Sequence, residues 1–405
     1  MVRNSVLVLS TALSGGGAEA VARLMVERLE GSACVLFENV AGVTVPGTEI
    51  RIAMVRRKGN VLVTLLVNIW RLVVIQWVKL KLRPMVTISH LEGPNIANVL
   101  TPFGGRKVLF VHNRVNKSYQ GDVGVDQIKL KLVRALYHRA DKIVGVSKEI
   151  CEELVESFNV DHDKVVFIQN PVNRLEAWEG SNKTYGDFRD RLLEGDYLIN
   201  VASLTIQKNQ EFLLRVFQQL VSENERYNDL KLILLGDGDQ RAALHGLCDD
   251  LKLSVFDPSM GLSYRYAQVC FLGFEANPYP LIKRARLFVM TSRWEGLPIA
   301  LLESMSLGVP GVLSDCSEGI RSVWQIPEDQ QKPLKRRACH WTPYGALING
   351  MDDDDDTFDI WTTAISNLLN DKSLRGKCSK ASIARAEDYD ARRVVDIWKR
   401  ELLLW

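Results

Sequence analysis

Short apolar runs punctuate the chain at 6–9, 86–89, 107–111, 143–146 and 165–168, with few polar positions inside them. Continuous runs of this length suit strands buried on both faces, as in a parallel sheet covered by helices. A second series follows at 197–202, 231–235, 269–272, 287–290, 309–313 and 344–348. Amphipathic stretches at 20–29, 211–220, 240–251, 357–369 and 389–404 carry the helical period instead. Strand and helix in alternation predict an α/β chain. Residues 174–196, between the two series, are polar and contain Gly180, Ser181, Asn182 and Gly186, which predicts a linker. The expected division is a first domain over 1–180, a second over 190–385 and a last helix over 386–405.

One window departs from this rhythm. Residues 61–78, VLVTLLVNIWRLVVIQWV, are apolar over 18 positions, the lower edge for spanning a bilayer. Arg71 near its middle would cost about 2.5–3.5 kcal/mol on insertion, and Asn68 and Gln76 add to that. The window is therefore read as a helix covering the first sheet. Trp70, Trp77, Lys79, Lys81 and Arg83 toward its end also permit an interfacial docking helix, apolar on one face with a basic rim.

Bulk composition changes this picture little. The 405 residues are 46% hydrophobic and 25% charged, ordinary for a two-domain globular protein. Seven cysteines stand at 34, 151, 248, 270, 316, 339 and 378 without a CxxC pair. That pattern predicts reduced thiols in a cytoplasmic protein, not a disulfide frame or a zinc site. The first ten residues read as a strand, their apolar stretch being too short for a signal peptide.

Charge is more telling. The net value of +2 hides a window, 51–142, with 17 Lys and Arg against 4 Asp and Glu. Such a surface faces nucleic acid or an anionic membrane leaflet. No interleaved aromatics or nucleic-acid motif accompany it, so a membrane surface is the expected partner and nucleic acid is not. A solvated basic face without any partner is the plain alternative.

Candidate chemistry gathers where strands end. The strand at 6–9 runs into Gly15, Gly16 and Gly17 and then a helix, the opening of a Rossmann-like unit. His112 follows the strand at 107–111, with Arg114 and Lys117 just beyond. Lys208 stands at a strand-to-helix junction, where it can hold a diphosphate as a point charge. Gly236 and Asp237 follow the strand at 231–235, and Phe274 follows the one at 269–272. Asp237 and Asp239 spell a DxD, but both suit a turn and a helix cap. The acidic run 352–356 is read as a solvated loop. Past the strand at 287–290, a loop carries Arg293, Glu295 and Gly296, Pro298 suits the first turn of a helix, and Glu303 sits inside it. A helix start is an anion site. Two carboxylates around it suit a ligand with both phosphate and hydroxyls, such as a nucleotide sugar.

The run 277–319 closely resembles the donor-site signature of the family 4 glycosyltransferases, and looser likeness covers nearly the whole chain. The resemblance implies a GT-B fold, two Rossmann-like domains facing each other across a cleft with the C-terminal helix crossing back to the first domain. It implies retaining transfer of a sugar from a nucleotide diphosphate sugar, a UDP-sugar being favoured, without a metal or other cofactor. On the same basis Glu295 binds sugar hydroxyls, Glu303 the ribose diol, and Lys208 with the N–H groups near 296–298 (Gly296, Leu297, Pro298) the diphosphate. Gly16 and Gly17 lie near donor phosphate or acceptor, Gly236 in the donor-side loop, Phe274 beside the nucleobase, and His112 at the sugar. His112, Lys208 and Glu295 form the expected catalytic set. One departure stands out: Ser203 occupies the place where the family usually has Arg, so Arg293 substitutes or Lys208 works without a second cation.

The acceptor expected from the basic window and residues 61–83 is a polyprenyl-diphosphate-linked oligosaccharide, in O-antigen or other polysaccharide assembly. Arg114 and Lys117 would meet its anionic part, and Trp77, Lys79, Lys81 and Arg83 the inner face of the cytoplasmic membrane. A soluble acceptor, or a nucleotide-sugar-binding protein without catalysis, are the alternatives.

Overall fold

The computed structural model describes residues 6–38, 48–52, 61–119, 124–192, 194–260, 266–326 and 335–403. The chain divides into two compact units, Met1–Asn170 with Arg392–Trp405 and Pro171–Ala391.

The first unit is built on a seven-stranded sheet. Its strands are β1 (Val6–Ser10), β2 (Ser32–Leu36), β3 (Thr48–Arg51), β4 (Val86–His90), β5 (Arg106–Val111), β6 (Lys142–Gly145) and β7 (Val165–Phe167). All pair in parallel in the order β3-β2-β1-β4-β5-β6-β7. The order reverses between β1 and β4, and ligands of open α/β sheets bind beyond the strand C-termini at such a point. Helix α1 (Gly17–Arg28) follows β1, α2 (Val61–Leu82) precedes β4, and α3 (Glu92–Leu100) follows it.

α2 covers the sheet with one face only. Ile75 and Val78 join Leu7, Leu9, Ala33 and Val35 in the core. Arg71 lies on the same buried face, donating from Nη2 to the Phe37 carbonyl at 2.9 Å with its guanidinium 5.0 Å above the Phe37 ring. By length and composition α2 could cross a membrane, yet a helix with one face packed on this sheet could span only by leaving it. Lys79, expected on the basic rim, is a correction. It is 1% exposed, and its ammonium meets Asn98 Oδ1 at 2.9 Å, Thr101 Oγ1 at 2.8 Å and both their carbonyls. Helical phase is the reason: position 79 falls one turn beyond Ile75 on the inward face. Burial, with Lys107 nearby, pushes its ammonium down to about 7.

The chain's end belongs to this unit. Trp398, in the helix Ala391–Trp398, sets its ring against Phe110 edge-on at 6.4 Å. Lys142 Nζ donates to the Glu401 carbonyl at 3.2 Å.

The second unit holds eight strands: β8 (Tyr197–Val201), β9 (Lys231–Leu235), β10 (Val255–Phe256), β11 (Val269–Gly273), β12 (Leu287–Met290), β13 (Gly311–Ser314), β14 (Ala338–Thr342) and β15 (Gly345–Asn349). Their order is β10-β11-β9-β8-β12-β13-β15-β14, parallel except for β14 at the edge. A core around Phe217, Leu232, Phe271 and Trp361 lies beneath.

Two expectations change here. The stretch read as a linker forms the helices Arg174–Gly180 and Phe188–Leu192 and packs on the second unit. Its polar groups are tied down there: Tyr185 Oη donates to the Asn277 carbonyl at 2.8 Å and Asn277 Nδ2 to the Gly180 carbonyl at 3.0 Å. The acidic run is a loop only over 352–354, where Asp352 pairs with Arg336 and Asp354 caps the helix Asp355–Asn370, which takes in Asp355 and Asp356. The helix Lys372–Ala386 went unread because it buries only small side chains, Cys378, Ser382 and Ala386.

Candidate functional site

In the second unit the strand order reverses between β8 and β12, so the loops after those two strands lie side by side. They are laced by backbone bonds: Arg293 N–H donates to the Gln207 carbonyl at 2.8 Å, and Gln207 Nε2 to the Trp294 carbonyl at 2.8 Å. This brings Lys208 Nζ to 2.6 Å from Glu295 Oε1, with Glu295 buried and Lys208 partly open. Asn209, at φ 52°, turns the first loop into the helix Gln210–Glu223, and its Oδ1 accepts from Arg293 Nη2 at 3.0 Å. A second cation therefore stands one residue along from Lys208.

Beyond Glu295 the chain passes Gly296 and Leu297 into the helix Ile299–Ser306. Pro298 is its N-cap, with extended ψ of 123°, rather than a member of the first turn as expected. Gly296 is clamped from behind: its carbonyl accepts from Ser317 Oγ at 3.3 Å, and a Cβ on Gly319 would lie 2.1 Å from that same oxygen. Glu303, on the helix, accepts from Tyr279 Oη at 3.2 Å.

The loops after β9 and β11 continue the same edge. Gly236 has φ +144° and approaches the Ala202 carbonyl so closely that a Cβ would stand 2.0 Å from it. Its N–H donates to the Gly273 carbonyl at 2.8 Å, just before the exposed Phe274. Ser203 sits in the loop that Gly236 abuts. Asp237 serves a turn, accepting from Gly238 N–H at 2.8 Å and pairing with Arg241 at 3.3 Å; it caps no helix, since Gln240 holds that position. Thus Ser203, Lys208, Gly236, Phe274, Glu295, Gly296, Leu297, Pro298 and Glu303 share the C-terminal edge of one sheet.

The remaining expected residues lie in the first unit. Gly16 and Gly17 are exposed in the turn that opens α1. His112 follows β5, buried, and its Nε2 lies 3.0 Å from Nδ1 of His90, the last residue of β4. The rings stack at 5.3 Å, and His90 stacks on Phe110 at 4.8 Å. Burial lowers His112 to about 3; burial and then the neighbouring His112 hold His90 well below its ordinary value. Both rings are neutral at pH 7. His90 was missed in the sequence, although a polar residue ending a strand at the reversal point was a usable signal.

Arg114 is paired inside the first unit, its guanidinium 2.6 Å from Glu149 and 3.3 Å from the buried Glu153, with its side chain 31% exposed. Lys117 is exposed, as are Trp77, Lys81 and Arg83, with Lys81 Nζ 4.8 Å over the Trp77 ring.

Such a pair of parallel-sheet units with polar C-terminal edges is shared by known enzymes. The Glycosyltransferase Family 4 profile matches residues 15–174, and that of Glycosyl transferases group 1 matches residues 195–332. An uncharacterized glycosyltransferase of Methanocaldococcus jannaschii is 26% identical over 78% of this chain and 79% of its own length. The N-acetylgalactosamine-N,N'-diacetylbacillosaminyl-diphospho-undecaprenol 4-alpha-N-acetylgalactosaminyltransferase of Campylobacter jejuni is 25% identical over 74% of this chain and 71% of its own. In fold, the chain is similar to Anabaena HepE in complex with UDP and glucose, with a TM-score of 0.71 at 14% identity over 98% of this chain and 99% of that one. The chain belongs to the family 4 glycosyltransferases, enzymes of the GT-B fold that transfer hexosyl groups.

Proposed function

We propose that the chain moves a sugar from a UDP-sugar to a glycan carried on a lipid diphosphate, with retention at the anomeric carbon. The Lys208–Glu295 contact carries this reading. In a nucleotide sugar the anomeric phosphate adjoins the ring hydroxyls, so its receptor must set a cation beside a hydroxyl acceptor; here they are 2.6 Å apart. Glu295 takes sugar hydroxyls, Glu303 the ribose diol, and Lys208 with the N–H groups at the start of the helix Ile299–Ser306 the diphosphate. As the glycosidic C–O bond breaks, charge grows on the departing UDP, and fixed cations and N–H dipoles stabilise it without reorganising. The leaving phosphate accepts the proton of the incoming acceptor hydroxyl on the same face. His112 is assigned to the sugar on the family resemblance, and in this reading no metal takes part.

The Campylobacter relative is named for a diphospho-undecaprenol substrate, which supports a lipid-linked acceptor. α2 supports it independently. Opposite its buried face, Leu65, Leu66, Ile69, Trp70, Val73, Trp77 and Leu80 are 49% to 65% exposed, and Lys81 and Arg83 stand exposed near its C-terminal end. An apolar stripe with tryptophans and a cationic end suits an anionic bilayer surface, the helix lying in its plane.

A nucleotide-sugar screen by thermal shift, followed by transfer assays of wild type and Glu295→Ala, tests the enzymatic reading. A UDP-sugar raises Tm and wild type turns it over; equal null rates in both proteins would leave only a binder. Cosedimentation with anionic vesicles tests the surface. Wild type sediments, Trp70→Ser/Trp77→Ser does not, and no binding by wild type sinks the membrane reading.

A further inference from the structure

We infer that His90 is a positioning residue that fixes His112 as a neutral hydrogen-bond donor through Nδ1. β1 ends on Ser10, β4 ends on His90 and His112 follows β5, on three adjacent strands at the point where the order reverses. The two rings share one contact, His90 Nδ1 to His112 Nε2 at 3.0 Å. Among the described residues, His90 Nε2 and His112 Nδ1 have no hydrogen-bond partner. Each neutral imidazole carries one N–H, and which nitrogen holds it is set by the bond the other nitrogen makes. Two arrangements satisfy the contact.

If His112 donates from Nε2, the proton of His90 must sit on its Nε2, buried without an acceptor, while His112 Nδ1 is a bare acceptor. If His90 donates from Nδ1, His90 Nε2 is a bare lone pair and the proton of His112 lies on Nδ1. A buried N–H without an acceptor is rarer in proteins than an under-used acceptor. His90 is 0% exposed and His112 7%. The second arrangement therefore places the unmet N–H on the ring nearer solvent. His112 Nδ1, itself buried, then carries the N–H that an oxygen of a sugar hydroxyl or phosphate reaching the ring would accept. Stacking on Phe110, with Trp398 against the far ring, holds His90 in this orientation.

The tautomer assignment stands on the contact and on the burial of the two rings; its kinetic consequence rests on the proposed role of His112 at the sugar. The test uses full-length protein labelled with 15N in its histidines. Long-range 1H–15N correlations, with His112 identified by its loss in His112→Gln, should show a protonated Nδ1 and bare Nε2. His90→Asn keeps a side-chain N–H in place and should retain that pattern; His90→Phe keeps the stack, removes the donor and should lose it. A wild-type His112 protonated on Nε2, or a pattern unmoved in His90→Phe, overturns the proposal. In transfer assays His90→Phe should lower kcat roughly tenfold, the value of one hydrogen bond, with donor KM little changed and His90→Asn near wild type. A tautomer that shifts while kcat holds supports the positioning and instead removes His112 from the reaction.

Discussion

Lys208 and Glu295 face each other at 2.6 Å at the strand-order reversal of the second unit, one from the loop after β8 and one from the loop after β12. The cation proposed for the diphosphate is thus the ion-pair partner of the carboxylate proposed for the sugar. Removing one partner strands the other. Lys208→Ala leaves Glu295 buried without its cation, an expected loss of about 1–3 kcal/mol in stability. Lys208→Ala/Glu295→Gln should recover most of that loss, because the remaining group is neutral, and yet stay inactive. Thermal unfolding and transfer rates of the three proteins check this; a double variant no more stable than Lys208→Ala refutes the pairing as a structural bond.

The loop bearing Glu295 is held from behind by a close backbone approach. A methyl at position 319 would stand 2.1 Å from the Gly296 carbonyl, nearer than any packed carbon can sit. Gly319→Ala should displace Gly296 and Leu297 and cost about 1–3 kcal/mol, as overpacking does. Because those residues lead into the helix start assigned to the diphosphate, donor KM should rise more than stability alone explains. Equal donor KM in Gly319→Ala and wild type would detach the loop from donor binding.

The buried histidines make the first unit sensitive to acid. Both fold with their rings neutral, His112 lowered to about 3 from an unfolded value of 6.5. The unfolded chain binds protons first as pH falls, so stability is full above about 6.5 and declines toward about 3. Tm should fall between pH 7.5 and pH 5 at fixed ionic strength. His90→Phe/His112→Gln should show a shallower fall over the same range, whatever its absolute Tm. A slope unchanged in that variant would assign the acid sensitivity elsewhere.

Much of this architecture was legible in local pattern. The apolar runs matched eleven of the fifteen strands described, missing β2, β3, β10 and β14, and strand ends pointed to Lys208, Glu295 and His112, because parallel sheets put chemistry at their C-terminal edges. What escaped was decided by contacts between distant residues. His90 becomes meaningful only when β4 pairs with β5 and brings His112 to it. Arg114 looked free until a later helix supplied Glu149 and Glu153. Lys79 was misplaced for a nearer reason: it was grouped with Lys81 and Arg83 by charge, when helical phase set it with Ile75 and Val78. Polar composition likewise hid the helices Arg174–Gly180 and Lys372–Ala386, whose buried positions are small.

Ser203 poses the sharpest question about the donor site, since the resemblance expects an arginine there. Arg293 is the cation proposed in its stead. Its backbone is tied to Gln207, and its Nη2 reaches Asn209 Oδ1 at 3.0 Å, so its guanidinium is anchored beside Lys208. Asn209 is neutral, which leaves the charge of Arg293 available to a diphosphate. Arg293→Ala should therefore raise donor KM about tenfold, the scale of one charge-assisted hydrogen bond, with Tm little changed because the side chain is exposed. Ser203→Arg, in the loop between Ala202 and Leu204, should restore donor affinity to Arg293→Ala and add little to wild type. A tenfold gain from Ser203→Arg in the wild-type background would mean that Arg293 does not serve, and that Lys208 binds the diphosphate alone.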